Sequence, residues 1–311
     1  MNRPTIKIGI VGLGKIARDQ HIPALLADSD YEFIAVATRH GGTASEVQTF
    51  PSLGDMIDGS PELNAVSFCT PPQGRYLLAR QALEKGLHVM LEKPPGTTIR
   101  EVEDLASIAR SHGVALFAGW HSRAAPAVES ARRWLQGRSI RKAVVRWKED
   151  VRKWHPGQHW IWQPGGLGVF DPGINALSVI TRILPRSIFM VEASLYFPAN
   201  RDMPIAAKLA LSDGNGTNID AEFDFRQTGE QTWDIIVDTD AGELKLQHGG
   251  STMQINERAV DIPPSSEYPS LYRRFAELIR TGKTDVDLVP FQLVADAFLL
   301  GRREIVEPFD D

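Results

Sequence analysis

Residues 6–17 read IKIGIVGLGKIA, a short apolar run that leads directly into a glycine-rich turn. The β-branched run is typical of a buried strand. The turn matches the pattern G-x-G-x-x-G/A, in which Gly12 permits the tight turn, Gly14 lets a pyrophosphate approach, and Ala17 allows close helix–strand packing. Backbone N–H groups at the start of that helix would then face the phosphates. The residues of this predicted dinucleotide-binding turn are Gly12, Leu13, Gly14, Lys15 and Ile16.

The end of the next predicted strand, Phe33–Ala37, indicates which dinucleotide the chain accepts. In this fold an Asp or Glu at that end holds the ribose hydroxyls of NAD. Here the residues are Thr38, Arg39 and His40, without a carboxylate. A hydroxyl beside a guanidinium suits a 2′-phosphate, because Arg pairs with phosphate through two parallel hydrogen bonds. We predict that NADP is accepted or preferred and that NAD is also used. The alternative, in which Arg39 only stacks on adenine and both cofactors work equally well, stays open.

The order of strand and helix patterns predicts two domains of different class. The first part of the chain alternates short apolar strands with amphipathic helices, two of which, Arg75–Lys85 and Ile99–His112, end at a glycine. This alternation predicts α/β structure, a Rossmann domain with a doubly wound parallel sheet, over residues 1–122. Residues 123–311 read mainly as consecutive strands with turn pairs such as Asp213-Gly214. They predict an α+β domain with a large, open, mostly antiparallel sheet, whose last helix is able to pack back on the first domain.

Length, composition and charge exclude several classes of protein. At 311 residues the chain exceeds the size of about 250–300 residues at which single cores stop growing. Its 42% hydrophobic and 23% charged residues are ordinary for a globular protein. A net charge of −5 argues against nucleic acid or an anionic membrane as the main partner. No apolar run reaches the roughly 18 residues that a membrane span requires.

The cysteine and histidine content argues against disulfides and metal. Cys69 is the only cysteine, so no intrachain disulfide can form. With one cysteine and no address signal, a cytoplasmic protein is expected. His155 and His159 have a spacing that would suit zinc on a helix, but Pro156 and Gly157 lie between them and interrupt a regular helix. We predict no metal site.

A lysine stands where the carboxyl edge of the first sheet is expected. Residues 90–95 read MLEKPP and complete the predicted strand His88–Leu91. Ligands bind at this edge in open α/β sheets. The two prolines hold the backbone away from helix and give Lys93 a fixed exit, so that this side chain is either solvated or functional.

These motifs together resemble the Gfo/Idh/MocA family of oxidoreductases, over essentially the whole chain. The resemblance rests on Gly12–Ala17, Thr70-Pro71-Pro72 and Glu92-Lys93-Pro94, followed by an α+β half. Within the family, residues 147–150, 154–158 and 165–175 resemble the bacterial L-arabinose and D-galactose 1-dehydrogenases.

The resemblance implies roles for particular residues at the cofactor and sugar sites. It assigns cofactor binding to Thr70, Pro71, Pro72, Glu92 and Lys93. It also implies that Lys93 lies near the nicotinamide and the reacting hydroxyl, and that His121 borders the sugar site.

Lys93, Asp171 and Asn175 are the predicted catalytic residues. Asp171 and Asn175 are four apart in the helix predicted over Leu167–Leu184, so they share one face. In many family members a His stands where Asn175 stands here, and Asn cannot act as a base at neutral pH. This favours Asp171 over Asn175 as the proton acceptor, with Asn175 orienting the sugar. Lys93 either assists by its charge or is itself the base after desolvation, and both roles stay open. The structural alternative for Asp171 and Asn175 is a simple preference for a helix start.

Residues 146–162 hold four of the seven tryptophans and several polar side chains. Sugars present apolar C–H faces and a rim of hydroxyls, which aromatic rings and carboxylate or imidazole groups match. The predicted sugar-binding residues are Lys93, His121, Glu149, Trp154, His155, Asp171, Asn175 and Trp233. For any single ring, the alternative is a core tryptophan under a loop.

The resemblance and these residues predict an NAD(P)-dependent aldose 1-dehydrogenase. It would oxidise C1 of L-arabinose, D-galactose or D-fucose to the aldonolactone by hydride transfer to the nicotinamide. Two alternatives stay open: a non-catalytic regulator that senses NAD(P) and sugar, against which the retention of Lys93 and Asp171 argues, and an NAD-dependent glycosidase of the same family. One uncovered face of the second sheet predicts a homodimer. The apolar residues expected on that face are Val237, Leu244 and Leu246.

Overall fold

The computed structural model describes residues 4–39, 42, 44 and 47–310. In chain order the α-helices are α1 Ile22–Leu26, α2 Leu53–Gly59, α3 Arg75–Glu84, α4 Ile99–Ser111, α5 Val128–Leu135, α6 Val151–Trp154, α7 Phe170–Ile183, α8 Glu267–Thr281 and α9 Val289–Leu300. The strands are β1 Ile6–Val11, β2 Tyr31–Ala37, β3 Gln48–Phe50, β4 Ala65–Phe68, β5 His88–Glu92, β6 Leu116–Gly119, β7 Ile140–Lys148, β8 Phe189–Pro198, β9 Ala206–Ser212, β10 Asn218–Asp224, β11 Thr232–Thr239, β12 Gly242–Gln247, β13 Thr252–Ile255, β14 Arg258–Ala259 and β15 Arg302–Val306. A π-helical turn covers Ala17–His21, and short 3₁₀ turns cover His121–Ala124, His159–Trp162 and His248–Gly250.

These elements form two compact units. The first holds the described residues up to 121 together with 268–287, and the second holds residues 122–267 together with 288–310. The chain therefore returns to the first unit through α8, because Tyr268, Tyr272 and Phe275 on one face of that helix are buried in the first unit's core. The predicted domain boundaries, 1–122 and 123–311, did not include this return of the chain to the first unit. The last helix, α9, belongs to the second unit.

The first unit is built on six strands in the order β3-β2-β1-β4-β5-β6. All neighbouring pairs are parallel, which confirms the predicted Rossmann sheet. The direction of winding reverses between β1 and β4, the place where such folds bind ligands. Apolar side chains fill both faces: Ile8 and Ile10 share one core with α8, and the opposite face packs against α2, α3 and α4.

The helical segment after β1 is not a regular α-helix. It opens with the π-helical turn Ala17–His21, where the N–H of Ile22 donates to the Ala17 carbonyl, and α1 follows. Pro23 has no N–H and its ring would clash with the carbonyl one turn before it in a continuous α-helix. A wider turn directly before the proline accommodates that clash without ending the helix.

The second unit is built on nine strands in the order β14-β13-β12-β11-β7-β10-β9-β8-β15. Its pairs are antiparallel except for β7 with β10 and β8 with β15. The predicted, mostly antiparallel sheet is therefore confirmed. The short strands β13, β14 and β15, which lie at the two ends of the sheet, were not predicted, since two to five residues carry little periodic signal.

Helices α5, α7 and α9 cover one face of this sheet. Val237, Leu244 and Leu246 lie on that covered face and are at most 1% exposed. The expectation that they form the open face was wrong, because side chains alternate along a strand and the apolar set is the one that faces the helices. The open face instead carries charged side chains such as Lys142, Asp220 and Glu222.

No helix in the described part of the chain combines the length and the hydropathy that crossing a membrane requires.

Candidate active site

The carboxyl edge of the six-stranded sheet gathers the residues predicted to bind the dinucleotide. Because the strands are parallel, the segments that follow β1, β2, β4, β5 and β6 lie along this one edge. These segments carry Gly12, Leu13, Gly14, Lys15, Ile16, Thr38, Arg39, Thr70, Pro71, Pro72, Lys93 and His121. Glu92 is the last residue of β5. His40, also predicted, lies outside the described residues.

The turn after β1 fits a pyrophosphate. Gly12 has a φ of +95°, and a Cβ there would lie 2.9 Å from the side chain of Thr70 and 3.0 Å from its backbone nitrogen. Only glycine accommodates both constraints. A Cβ on Gly14 would meet no described atom within 4 Å, so the backbone there borders open space that a phosphate can enter.

The tip of β2 presents an exposed guanidinium. The N–H of Thr38 donates to the Phe50 carbonyl at 2.9 Å, which anchors the end of the strand beside β3. Arg39 follows and is exposed. A ribose phosphate can therefore reach its guanidinium from solvent.

Replacing Arg39 by Ala is expected to weaken NADPH binding by about 10–100-fold, the value of a lost charge-assisted hydrogen-bond pair. NADH binding is expected to stay essentially unchanged, because it lacks the 2′-phosphate. Fluorescence titration of both reduced cofactors measures the two dissociation constants. Arg39→Lys is the matched control, since it keeps the charge but not the fork, and it should give an intermediate loss. If NADPH and NADH binding weakened equally, Arg39 would be assigned to stacking on adenine and not to the 2′-phosphate.

The backbone around Lys93 is held on both sides. Its N–H donates to Glu92 Oε2 at 2.9 Å. Arg75, the first residue of α3, is 2% exposed. Its guanidinium donates to the carbonyl oxygens of Glu92, Pro94 and Thr70. One buried guanidinium therefore joins the segment after β4 to the segment that carries Lys93.

A buried polar network surrounds the Glu92 carboxylate. Glu92 Oε1 accepts from the Tyr268 hydroxyl at 2.7 Å and lies 2.9 Å from His21 Nε2. His21 Nδ1 lies 2.7 Å from the Tyr272 hydroxyl, which is 3.0 Å from Ser67 Oγ. The five side chains are all buried, and each polar atom in the network has a partner, as burial of polar groups requires.

Glu92 and His21 form a buried ion pair. Burial by itself raises the pKa of Glu92, but the hydrogen bond and charge of His21, with contributions from His121 and Tyr268, lower it from 4.5 to about 2. Burial likewise disfavours the charged form of His21, but Cys69, Tyr272 and Glu92 outweigh it and hold the pKa well above 6.5. Both partners are therefore ionised at neutral pH.

We expect this pair to give the fold a stability maximum between about pH 4.5 and pH 6.5. A lowered carboxylate pKa stabilises above the unfolded value of 4.5 and is lost as the pH falls toward 2, whereas a raised imidazole pKa stabilises below 6.5 and is lost as the pH rises. Glu92→Gln should lower the unfolding free energy by about 3–5 kcal/mol within this window. It should also reduce the dependence of the unfolding free energy on pH on both sides of the window.

Thermal unfolding followed by circular dichroism across both flanks measures this effect. The matched control is Glu84→Gln, which removes one side of the exposed pair with Arg80 and should cost at most about 1 kcal/mol. If the pH dependence of the melting temperature were the same in Glu92→Gln as in the wild type, the assignment of Glu92 and His21 as a stabilising ion pair would be contradicted.

The second unit brings five of the predicted sugar-site residues into contact. Trp233 Nε1 donates to Glu149 Oε2 at 2.9 Å, and Glu149 Oε1 lies 3.0 Å from His155 Nε2. His155 Nδ1 lies 3.6 Å from Asp171 Oδ2. The rings of Trp154 and Trp233 meet edge to face, with centroids 5.2 Å apart. We call Glu149, His155 and Asp171 the acid–histidine chain.

The acid–histidine chain is buried at its ends and more accessible in its middle. Glu149 is 5% exposed and Asp171 2%, while the side chain of His155 is 15% exposed. Trp154 is 38% exposed and offers an aromatic face beside the chain. Trp147 and Trp162 are buried, which is the core alternative for those two rings.

Helix α7 delivers Asp171 to this group. Asp171 lies in the first turn of the helix, where a negative charge is favoured by the helix dipole. A Cβ on Gly173 would lie 2.7 Å from the Phe223 ring, so glycine lets α7 approach β10 closely. Asn175 follows one helical turn after Asp171 and is half-buried. Among the described residues, no group of three His, Cys, Asp or Glu side chains is placed to hold a metal ion.

Sequence reasoning missed Arg75, His21 and Tyr268. Arg75 has the pattern of an ordinary first helical residue, and His21 carried no motif. Tyr268 stacks on the predicted sugar-site residue His121, with ring centroids 5.5 Å apart, although 147 positions separate them. The glycine-rich motif gave no signal for the contacts of these three residues, because each contact depends on packing between segments that are far apart in sequence.

Comparison with known proteins gives relatives over the full length of the chain. Residues 6–120 match the Gfo/Idh/MocA oxidoreductase family with its NAD-binding Rossmann fold. Galactose 1-dehydrogenase of Pseudomonas fluorescens is 44% identical over 98% of this chain and 99% of its own. The crystal structure of D-galactose-1-dehydrogenase from Rhizobium etli is 52% identical over 100% of this chain and 99% of its own, with a TM-score of 0.95. A 3-ketoreductase from Actinomadura kijaniata, at 19% identity, covers 97% of this chain and 100% of its own with a TM-score of 0.85, and shows the fold alone.

Proposed function

This chain belongs to the Gfo/Idh/MocA family of oxidoreductases, and from that premise we propose that it is an NAD(P)-dependent aldose 1-dehydrogenase. Its sugar substrate would be oxidised at C1 to the aldonolactone. The observation that carries the proposal is the full-length similarity to galactose 1-dehydrogenases, together with the acid–histidine chain beside an exposed tryptophan ring.

Asp171 is the proposed acceptor of the C1 hydroxyl proton. A buried carboxylate in the first turn of a helix is fixed in position, and a general base is more effective when its position is fixed. His155 lies next to Asp171, with 3.6 Å between His155 Nδ1 and Asp171 Oδ2. In the tautomer that donates Nε2–H to Glu149, the imidazole turns the lone pair of Nδ1 toward Asp171. The proton taken by Asp171 can then pass to His155, the most accessible member of the chain. Asn175, with an amide in place of a base, orients the sugar hydroxyls.

The residues of the first unit's carboxyl edge would hold the dinucleotide, with Gly12–Ala17 at the pyrophosphate and Thr38 and Arg39 at the adenosine ribose. The nicotinamide, when bound, supplies the hydride acceptor. Lys93 contributes a positive charge that lowers the pKa of the C1 hydroxyl and steadies the developing alkoxide. Thr70, Pro71 and Pro72 shape the wall of this edge.

The proposed substrates are D-galactose, L-arabinose and D-fucose. The three pyranoses share their stereochemistry from C2 to C4 and differ only in the substituent on C5, which is CH₂OH, CH₃ or hydrogen. Glu149, Trp154, His155 and Trp233 would read the shared hydroxyls and the apolar face. Shape alone discriminates one added or missing methylene by only about 10–200-fold, so turnover of all three sugars is expected.

A substrate panel tests the function. The purified protein is offered D-galactose, L-arabinose, D-fucose, D-glucose and myo-inositol, each with NADP and with NAD, and formation of the reduced cofactor is followed by absorbance. Reduction with the first three sugars, but not with myo-inositol, supports the proposal. Binding of NADPH without turnover of any sugar would instead support the sensing regulator. A galactoside offered with the same cofactors tests the glycosidase, which would release the free sugar without net cofactor reduction.

We also propose a homodimer that forms through the open face of the nine-stranded sheet. On this face the basic row of β7 lies between acidic residues of β10 and β11, with ion pairs such as Lys142–Asp220 at 2.9 Å and Lys148–Glu222 at 2.9 Å. Such a striped surface is able to pair with a second copy, and sedimentation velocity in low and high salt tests this directly.

The single, buried free thiol, Cys69, suits the proposed cytoplasmic location.

A further inference from the structure

The buried network around Glu92 joins five side chains: His21, Ser67, Glu92, Tyr268 and Tyr272. It places two ionised groups, His21 and Glu92, at 0% and 4% exposure inside the first unit. Replacing such a pair by apolar side chains is often neutral or stabilising, so burial of charge is weak evidence for a role in stability. The contact that distinguishes this network is the one it makes to the backbone of Lys93.

The two oxygens of the Glu92 carboxylate have different hydrogen-bond partners. Oε2 accepts the N–H of Lys93 at 2.9 Å, while Oε1 accepts the Tyr268 hydroxyl at 2.7 Å and faces His21 Nε2 at 2.9 Å. The orientation of the carboxylate is therefore set by α8 and the π-helical turn, and this orientation sets the position of the Lys93 backbone. Arg75 holds the carbonyls on either side of the same residue.

We propose that Glu92, oriented by Tyr268 and His21, is a positioning residue that holds Lys93 in its reactive place. None of these three side chains is required to touch substrate or cofactor. Their effect is on the rate, because a displacement of about 1 Å in a reacting group is able to cost about 10²-fold. This inference rests on the proposed function of Lys93.

Two tyrosines of the same core supply a matched test. Tyr268 donates to Glu92 Oε1 and is 4% exposed. Tyr31 is 7% exposed, lies in the same apolar core, and donates at 2.7 Å to the backbone carbonyl of Tyr272, away from the carboxylate. Tyr268→Phe and Tyr31→Phe each delete one buried hydroxyl and keep the ring, so comparable losses of melting temperature are expected from both.

The proposal expects the two variants to differ in turnover. Tyr268→Phe should lower kcat for D-galactose about tenfold, with KM for the sugar and the dissociation constant of NADPH unchanged. Tyr31→Phe should leave all three at the wild-type values. Equal kcat in both variants, or a loss confined to KM or to NADPH affinity, would overturn the positioning role.

A second readout does not depend on turnover. In the cofactor-free protein, hydrogen exchange of the Lys93 amide, followed by NMR, should be faster in Tyr268→Phe than in Tyr31→Phe, because only the first loosens the acceptor of that N–H. Equal protection of the Lys93 amide in both would also overturn the proposal. If the wild-type protein oxidises no aldose, the proposed function fails, and the exchange measurement still decides whether Glu92 holds Lys93.

Discussion

Asp171→Asn is expected to lower kcat for D-galactose by about 10²–10⁴-fold, the range that a positioned general base contributes. This is the largest effect expected from any single change in the second unit. Asn has nearly the same shape as Asp and fills the same place at the start of α7, but its amide cannot take a proton. Because the lost interaction is made in the transition state, KM should change far less than kcat. Steady-state rates at saturating NADP measure both constants.

The control for Asp171→Asn is Asp261→Asn, the same change on an exposed loop, which should leave the rate unchanged. Glu149→Gln gives a graded comparison within the acid–histidine chain. Its amide keeps one acceptor oxygen, so either His155 or Trp233 loses its partner, and the loss of kcat should be smaller than in Asp171→Asn. A rate in Asp171→Asn equal to that of Asp261→Asn would exclude Asp171 as the base.

Lys93→Met is expected to lower kcat by about 10²–10³-fold, the typical value of one preorganised charge at a reacting oxygen. Methionine keeps the length of the side chain and removes the charge. The exposed Lys85, at the end of α3, supplies the control Lys85→Met, for which no loss is expected. The rate of reduced-cofactor formation measures the effect. Wild-type turnover in Lys93→Met would remove Lys93 from the mechanism.

Lys93→Arg separates the two roles that the residue types leave open. Arg stays charged throughout the accessible pH range and cannot act as a base. If Lys93 acts by its charge, Lys93→Arg should recover at least about tenfold of the rate lost in Lys93→Met. If Lys93 is the base, Lys93→Arg should be as slow as Lys93→Met, and Asp171→Asn should then have little effect.

Much of the fold was accessible from local pattern. The strand and glycine turn at Ile6–Ala17, the helices ended by Gly86 and Gly113, and the strand that ends at Glu92 all depend on interactions within a few residues. The parallel order of the first sheet followed from their alternation. Where the structure departs from expectation, as in the return of α8 to the first unit and the burial of Val237, the cause is contact between segments far apart in sequence.

The candidate site divides along the same line. The four-residue spacing in a helix linked Asp171 to Asn175, and the pattern of the glycine-rich turn linked the residues predicted to bind the dinucleotide. Both groups of residues were therefore predictable from the sequence. The hydrogen bond between His155 and Glu149 spans six residues across an irregular turn, and no periodicity predicts it. Tyr268 reaches Glu92 across 176 positions, and His21 reaches it across 71.

The sequence by itself therefore determined the cofactor turn, the class of both sheets and the presence of Lys93 and Asp171, because each is encoded in short segments whose conformation is locally favoured. Only the tertiary structure decided which contacts hold the Lys93 backbone and the Asp171 side chain. Buried charges must find partners wherever the folded chain offers them, and the partners of Glu92 and Asp171 come from elements that meet through packing of apolar faces.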